Sequence, residues 1–60
     1  MTDAQKEALL HKAMELLEEA DALQQKALGA CDACEHNHNR IEAVYEDIMY
    51  EIMLIQEEAE

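Results

Sequence analysis

The chain divides into two halves of similar length around its only glycine, Gly29, and it contains no proline. The spacing of apolar residues in each half predicts one long amphipathic helix. The second half ends in a segment, residues 48–55, in which seven of the eight side chains are apolar. A hairpin of two helices has too little surface to cover such a segment. The sequence therefore predicts that this chain is one part of a larger helical assembly and that its function is to bind another chain.

Length and charge limit the classes of function. Sixty residues form one domain at most, and folding at this size buries only about 60% of the surface of the unfolded chain. The formal net charge is -11, from 15 acidic and 4 basic residues. Direct binding of nucleic acid or of an anionic membrane needs clustered Lys and Arg, so both are excluded. We expect a protein partner with a basic surface instead.

The sequence also predicts a location in the cell. No apolar run reaches the roughly 18 residues of a membrane span, and the first six residues lack the basic region and apolar core of a signal peptide. We therefore expect a cytoplasmic protein that does not contact a membrane and whose two cysteines stay reduced.

The first helix is predicted over residues 3–28. Thr2 and Gln5 have the spacing of a capping box, and Gly29 follows as a residue that ends helices easily. Small and large apolar residues then recur at steps of four and three, which is the spacing of a heptad seam. This predicted seam consists of Leu9, Ala13, Leu16, Ala20, Leu23 and Ala27. A second set widens the apolar stripe on its flank: Leu10, Leu17 and Leu28.

A turn is predicted over residues 29–32 and a second helix over residues 33–58. Its cap is Asp32 or, in the alternative that the sequence leaves open, Asn39, which would follow a long polar loop after Gly29. Apolar spacing favours the earlier start, because the four-and-three rhythm reaches back to the turn. The seam of this helix consists of Cys34, His38, Ile41, Tyr45, Ile48, Ile52, Ile55 and Ala59.

The predicted fold is all-α: an antiparallel two-helix hairpin that forms a single domain and dimerises into a four-helix bundle. A short turn makes the helices antiparallel neighbours, so we expect the isoleucines of the second seam to pack near Leu9, Ala13 and Leu16. Apolar residues left outside the hairpin would cover one another in the homodimer or contact another protein. The candidate interface residues are Leu9, Leu16, Val44, Ile48, Met49, Ile52, Met53, Leu54 and Ile55.

Two resemblances support this interpretation. The start of the chain, with Met1-Thr2, Lys6 and Ala8-Leu9, together with the two-helix layout, resembles the Rop family of plasmid RNA-binding dimers, which implies a homodimer of hairpins. The basic and aromatic RNA-facing surface of that family has no counterpart here, so RNA binding is not implied. In size, acidity and helical style the chain is also similar to the small early-region proteins of temperate lambdoid phages, which implies a regulator that acts on a host protein.

The turn carries the one local group of residues with possible chemistry. Cys31, Cys34 and His38 have spacings of three and four, so all three can share one helix face. Zinc takes four such ligands in a tetrahedron, and these three would leave one position for water or another chain. Two simpler interpretations stay open: a capped turn with two reduced thiols and no cofactor, or a redox-active pair of thiols.

The sequence predicts no enzyme and no catalytic residue. Three classes of function remain: a small regulatory or interaction protein that is a homodimer, an acidic antagonist that mimics DNA and blocks a basic nucleic-acid-binding protein, and a metal-binding module at the turn. The first two imply a protein partner that the sequence does not name.

Overall fold

The computed structural model describes residues 1–59. Two helices, α1 (Asp3–Leu28) and α2 (Asp32–Ala59), pack side by side as an antiparallel hairpin. The bounds of α1 are the predicted ones. α2 begins at Asp32, one residue before the predicted start, so the alternative start at Asn39 is wrong. The hairpin is a rod of 44 × 15 × 12 Å, and neither helix contains a stretch apolar enough to cross a lipid bilayer.

The ends of α1 are held by local hydrogen bonds. The predicted capping box is confirmed: the Gln5 amide donates to Thr2 Oγ1 at 3.1 Å, and the Thr2 amide donates to Gln5 Oε1 at 2.8 Å. At the other end, Gly29 has φ 69°, a value that side chains disfavour, and its amide donates to the Gln25 carbonyl at 2.8 Å. The chain therefore leaves α1 sharply and is free to turn back at once.

The turn is short because α2 starts as soon as the chain has reversed. The amide of Glu35 donates to the carbonyl of Cys31 at 3.0 Å, so Cys31 supplies the first carbonyl of α2. Asp32 lies inside the first turn rather than before it, where its charge favours the positive end of the helix dipole. The weak helix formers that follow, His36 to Asn39, are carried into α2 by this start and by the packing behind it.

The contact face of α2 is the predicted seam. Cys34 and Ile52 are each only 6% exposed and form the buried part of the interface. Between and beyond them, four-and-three steps bring half-buried side chains to the same face: His38, Ile41, Tyr45, Ile48 and Ile55. The side chain of Ala59 lies outside the described residues.

The contact face of α1 differs from the prediction by one residue. Leu9, Leu16 and Leu23 point away from α2 and are 57%, 53% and 66% exposed. Most of the half-buried residues of α1 lie on the ladder one step later: Leu10, Met14, Leu17, Asp21 and Gln24. The expectation that the isoleucines of α2 pack near Leu9 and Leu16 is therefore wrong for the hairpin, whereas Ala13, the third residue expected there, is half-buried.

Polar contacts at the turn end account for this rotation of α1. Asp21 Oδ2 lies 2.7 Å from His38 Nδ1, and Gln24 Nε2 donates to the carbonyl of Cys34 at 3.4 Å. Both contacts require residues 21 and 24 to face α2. Because Leu10 and Leu17 lie on the same side of α1 as these two residues, they face α2 as well. The same pairs set the register, which places residue 16 level with residue 43 and Ile52 level with Glu7.

The hairpin exposes more surface than a compact protein of its size. Its accessible area is 4720 Å², whereas a compact monomer of 6.9 kDa exposes about 4000 Å². The radius of gyration is 14.0 Å, against about 10 Å for a compact domain of this length. The extended shape leaves large apolar side chains exposed, among them Leu9, Leu16, Leu23 and Val44.

Candidate functional site

The hairpin presents two long faces that differ in chemistry. On each helix, the residues that precede a contact residue by one are rotated by about 100° to one side, and those that follow it are rotated to the other side. Because the helices are antiparallel, the preceding residues of α1 and α2 share one side of the hairpin, and the following residues share the other. The grooves between the helices agree: one is lined by Leu17, Asn37, Arg40, Ile41 and Val44, and the other by Glu18, Asp21, His38, Ile41, Glu42 and Tyr45.

The first side, which we call the leucine face, carries a heptad ladder whose leucines are exposed. Its α1 residues belong to the predicted seam of the first helix, in which leucine alternates with alanine: Leu9, Ala13, Leu16, Ala20 and Leu23. Val44 lies beside them on α2 and is also exposed, flanked by Arg40 and Asp47. The regular spacing of this ladder is that of a helix-packing surface, yet α2 does not cover its leucines.

The second side, which we call the acidic face, carries carboxylates and two exposed methionines. Its glutamates come from both helices and are Glu15, Glu18, Glu35, Glu42 and Glu46. Met49 and Met53 continue the α2 row toward the chain ends. The four basic residues of the chain, which are Lys6, Lys12, Lys26 and Arg40, precede contact residues or lie on the outer side of α1. The acidic face therefore combines negative charge with a small apolar strip.

The structure divides the candidate interface residues of the sequence into three groups. Leu9, Leu16 and Val44 lie on the leucine face. Met49 and Met53 lie on the acidic face. The remaining residues are buried or half-buried in the hairpin: Ile48, Ile52, Leu54 and Ile55. The sequence predicted all of these residues as one interface because the spacing of apolar residues does not show which of them are buried between the two helices of the hairpin.

A polar cluster ties the two helices together near the turn. His38 contacts Asp21 through Nδ1 at 2.7 Å and Glu42 through Nε2 at 3.0 Å. Asp21 also accepts from Gln24 at 2.9 Å and from Gln25 at 3.0 Å. Carboxylates only accept hydrogen bonds, so both contacts of His38 are satisfied when both ring nitrogens carry protons. Sequence reasoning missed this cluster, although the pairing of His38 with an acid on α1 is a recognisable signal.

The cluster shifts the titration of its members. The hydrogen bond to Asp21 raises the pKa of His38 above its ordinary value of 6.5, and the Coulombic attraction of Asp21 and Glu42 adds to it while desolvation opposes it. The hydrogen bond from Gln24 holds the pKa of Asp21 below its ordinary value, helped by His38 and Gln25. In the groove beside the cluster, a hydrogen bond to Glu18 raises the pKa of Tyr45. The shifts of His38 and Asp21 favour a charged pair that links α1 to α2.

The three predicted metal ligands, Cys31, Cys34 and His38, line one groove beside the turn but differ in burial and in their hydrogen-bond partners. Cys34 is buried in the hairpin, Cys31 is exposed, and both are free thiols. Both ring nitrogens of His38 are engaged by carboxylates. Among residues 1–59, no group of three or more His, Cys, Asp and Glu side chains has the arrangement needed to hold a metal ion.

The environment of Cys34 does not favour thiolate chemistry at this residue. Burial raises the pKa of the Cys34 thiol, and the nearby Cys31 and Asp21 raise it further. A raised pKa lowers the fraction of thiolate, which is the nucleophilic and metal-binding form. Cys34 therefore packs in the hairpin as a small, buried thiol.

Comparisons with protein-family profiles, with curated proteins and with solved structures find no match to this chain.

Proposed function

We propose that this chain is a small non-catalytic interaction protein that acts as a homodimer, in which two hairpins form a four-helix bundle. The observation that carries the proposal is the leucine face: a ladder of exposed leucines with heptad spacing, on a hairpin that already has a separate contact face. Leucine and alanine alternate along it, so another helix can approach closely while each leucine finds a place between neighbours.

The exposed area supports a second copy as the covering chain. Two separate hairpins expose twice 4720 Å², whereas a compact protein of twice the mass exposes about 6600 Å². Forming such a bundle would bury about 2800 Å², which is in the range of permanent homodimers. At the ordinary value of about 25 cal/mol per Å² of apolar area, even half of that burial is a large favourable term for a chain of this length.

Thermal unfolding at different protein concentrations tests the proposal. The melting temperature of a homodimer rises with concentration, because association stabilises the folded state by mass action. Circular dichroism at about 5 µM and at about 200 µM should give melting temperatures that differ by several degrees. A melting temperature that stays the same over this range would show that the hairpin folds alone, and the proposal would fail.

The acidic face supports a second candidate function, the binding of a basic protein through an amphipathic helix. Among residues 1–59, Glu15 is the one glutamate of this face that contacts a lysine or arginine, namely Lys12, so the face favours a cationic partner. Met49 and Met53 are flexible apolar side chains that adapt to a bound helix. This combination also fits an antagonist that occupies a basic nucleic-acid-binding surface.

A labelled synthetic helix of alternating lysine and leucine clusters tests this candidate by fluorescence anisotropy. Binding should weaken when Glu15 and Glu46 are changed to Lys, and it should fall as salt is raised from about 0.05 to 0.5 M. In the matched control, Glu57 and Glu58, which lie beyond Met49 and Met53 toward the end of the chain, are changed to Lys. Equal loss in the control would indicate attraction by net charge alone and would count against a defined site.

A further inference from the structure

We infer that the two hairpins of the dimer are related by a two-fold axis that passes between the two copies of Leu16 and between the two copies of Val44, with each helix antiparallel to its own copy. This inference deepens the proposed function and rests on it, because it specifies how a second copy covers the leucine face. Four observations lead to it.

The ladder on α1 matches its own rotated image in the antiparallel direction about one point, Leu16. Leu16 is its central leucine, and Leu9 and Leu23 lie seven residues to either side. In an antiparallel pair centred on Leu16, each Leu9 lies level with the Leu23 of the other copy. Homodimer interfaces of this isologous kind require such a match between a surface and its own rotated image.

The charged residues beside this ladder have the same centre. Lys12 and Glu19 lie on the outer flank of the ladder and are both exposed. Their midpoint falls at residues 15–16, so the antiparallel arrangement brings each Lys12 close to the Glu19 of the other copy. Within one chain, Lys12 contacts Glu15 at 3.5 Å, an exposed pair that leaves little to lose when the lysine turns toward a second partner.

The α2 side of the leucine face repeats this pattern independently. Val44 is the apolar residue at its centre, and Arg40 and Asp47 lie on either side of it. Their midpoint falls at residues 43–44, so an antiparallel arrangement brings each Arg40 close to the Asp47 of the other copy. Arg40 and Asp47 are seven residues, about 10 Å, apart along α2, so they do not satisfy each other within one chain.

The two centres coincide in the folded hairpin. The contacts of Asp21 with His38 and of Gln24 with Cys34 place residue 16 of α1 level with residue 43 of α2. One two-fold axis perpendicular to the helices therefore passes through both centres. The leucine ladder faces away from α2 by about 100°, so the second hairpin completes a square arrangement of four helices, with α1 beside its own copy and α2 beside its own copy.

Charge reversal provides the first test, since the charged residues of α2 are exposed and their replacement leaves the hairpin intact. Arg40→Asp and Asp47→Arg should each raise the dimer dissociation constant about tenfold at 0.15 M salt, as two attractive pairs become repulsive. The double variant should restore the wild-type value to within about threefold. The two single changes alter net charge in opposite directions, so an effect of net charge alone would strengthen the dimer in Asp47→Arg and would overturn the inference.

Cross-linking provides the second test and separates the inference from the proposed function. In a Cys31→Ser, Cys34→Ala background, single cysteines at Leu16 or Val44 should link two copies through a short bismaleimide. A cysteine at Leu9 should not link to itself, because the two copies lie about 21 Å apart along the axis, but should link to one at Leu23 in a mixture. Linking of Leu9 to Leu9 would show a parallel dimer and overturn the inference while the dimer stands. A monomeric background protein that gives no link at any position would overturn both.

Discussion

Truncating Leu16 to alanine tests the leucine face without disturbing the hairpin. In one copy of the chain this side chain is 53% exposed, so about half of its surface remains to be covered by a partner. Full burial of a leucine contributes about 1.5–3 kcal/mol, which leaves about 0.8–1.5 kcal/mol per chain for the dimer. Both copies lose it, so the dimer should weaken by about 1.5–3 kcal/mol, or about 10- to 150-fold in dissociation constant.

The substitution acts on the dimer contact and leaves α1 itself intact. Alanine forms helices slightly better than leucine, so the helix is not weakened by the change. The matched control is Tyr50→Ala, which removes a larger side chain that is 59% exposed on the outer side of α2. Sedimentation equilibrium or dilution calorimetry gives the dissociation constants. An unchanged constant for Leu16→Ala, or an equal loss for Tyr50→Ala, would refute the reasoning.

Two further predictions concern the hairpin. Ile52→Ala should lower the free energy of unfolding by about 2–4 kcal/mol, measured by urea denaturation, because Ile52 is one of the two side chains that the hairpin buries. Met53→Ala changes an exposed neighbour and should lower the free energy of unfolding by less than about 1 kcal/mol, so equal losses would contradict the assigned contact face. The pKa of His38 is raised by Asp21, so its contribution to stability is complete below about pH 6.5 and is lost as pH rises through the folded-state pKa; melting temperature should fall over that interval in the wild type and less in His38→Gln, whereas parallel curves would show that the cluster does not stabilise the hairpin.

The sequence was sufficient for α2 and only partly sufficient for α1. The four-and-three rhythm from Cys34 to Ile55 has one apolar ladder, and that ladder is the observed contact face. On α1 two ladders lie one residue apart, and the prediction followed the more regular one, with Leu9 and Leu16. The hairpin instead uses the ladder of Leu10, whose continuation at the turn end consists of polar residues. The hydrogen bonds that Asp21 and Gln24 make with α2 favour this contact face, and the spacing of apolar residues gives no information about them.

The sequence shows which apolar residues are candidates for an interface, but it does not show on which side of the hairpin each of them lies. The sequence shows an excess of apolar residues in the second half of the chain. In the structure, Ile52 is buried within the hairpin, whereas Val44 and Met53 are exposed. The side on which each residue lies depends on the rotation of each helix, which a single sequence does not reveal. The charged pairs beside the leucine face can be interpreted only when that rotation and the register are known.

One copy of this chain does not cover its own apolar surface, and its mass in solution tests that claim most directly. Sedimentation equilibrium of the wild-type protein at micromolar concentration in 0.15 M salt is the measurement. We expect a mass of twice 6.9 kDa that falls toward the single-chain value only on dilution. A helical, cooperatively folded species of 6.9 kDa throughout that range would contradict the claim.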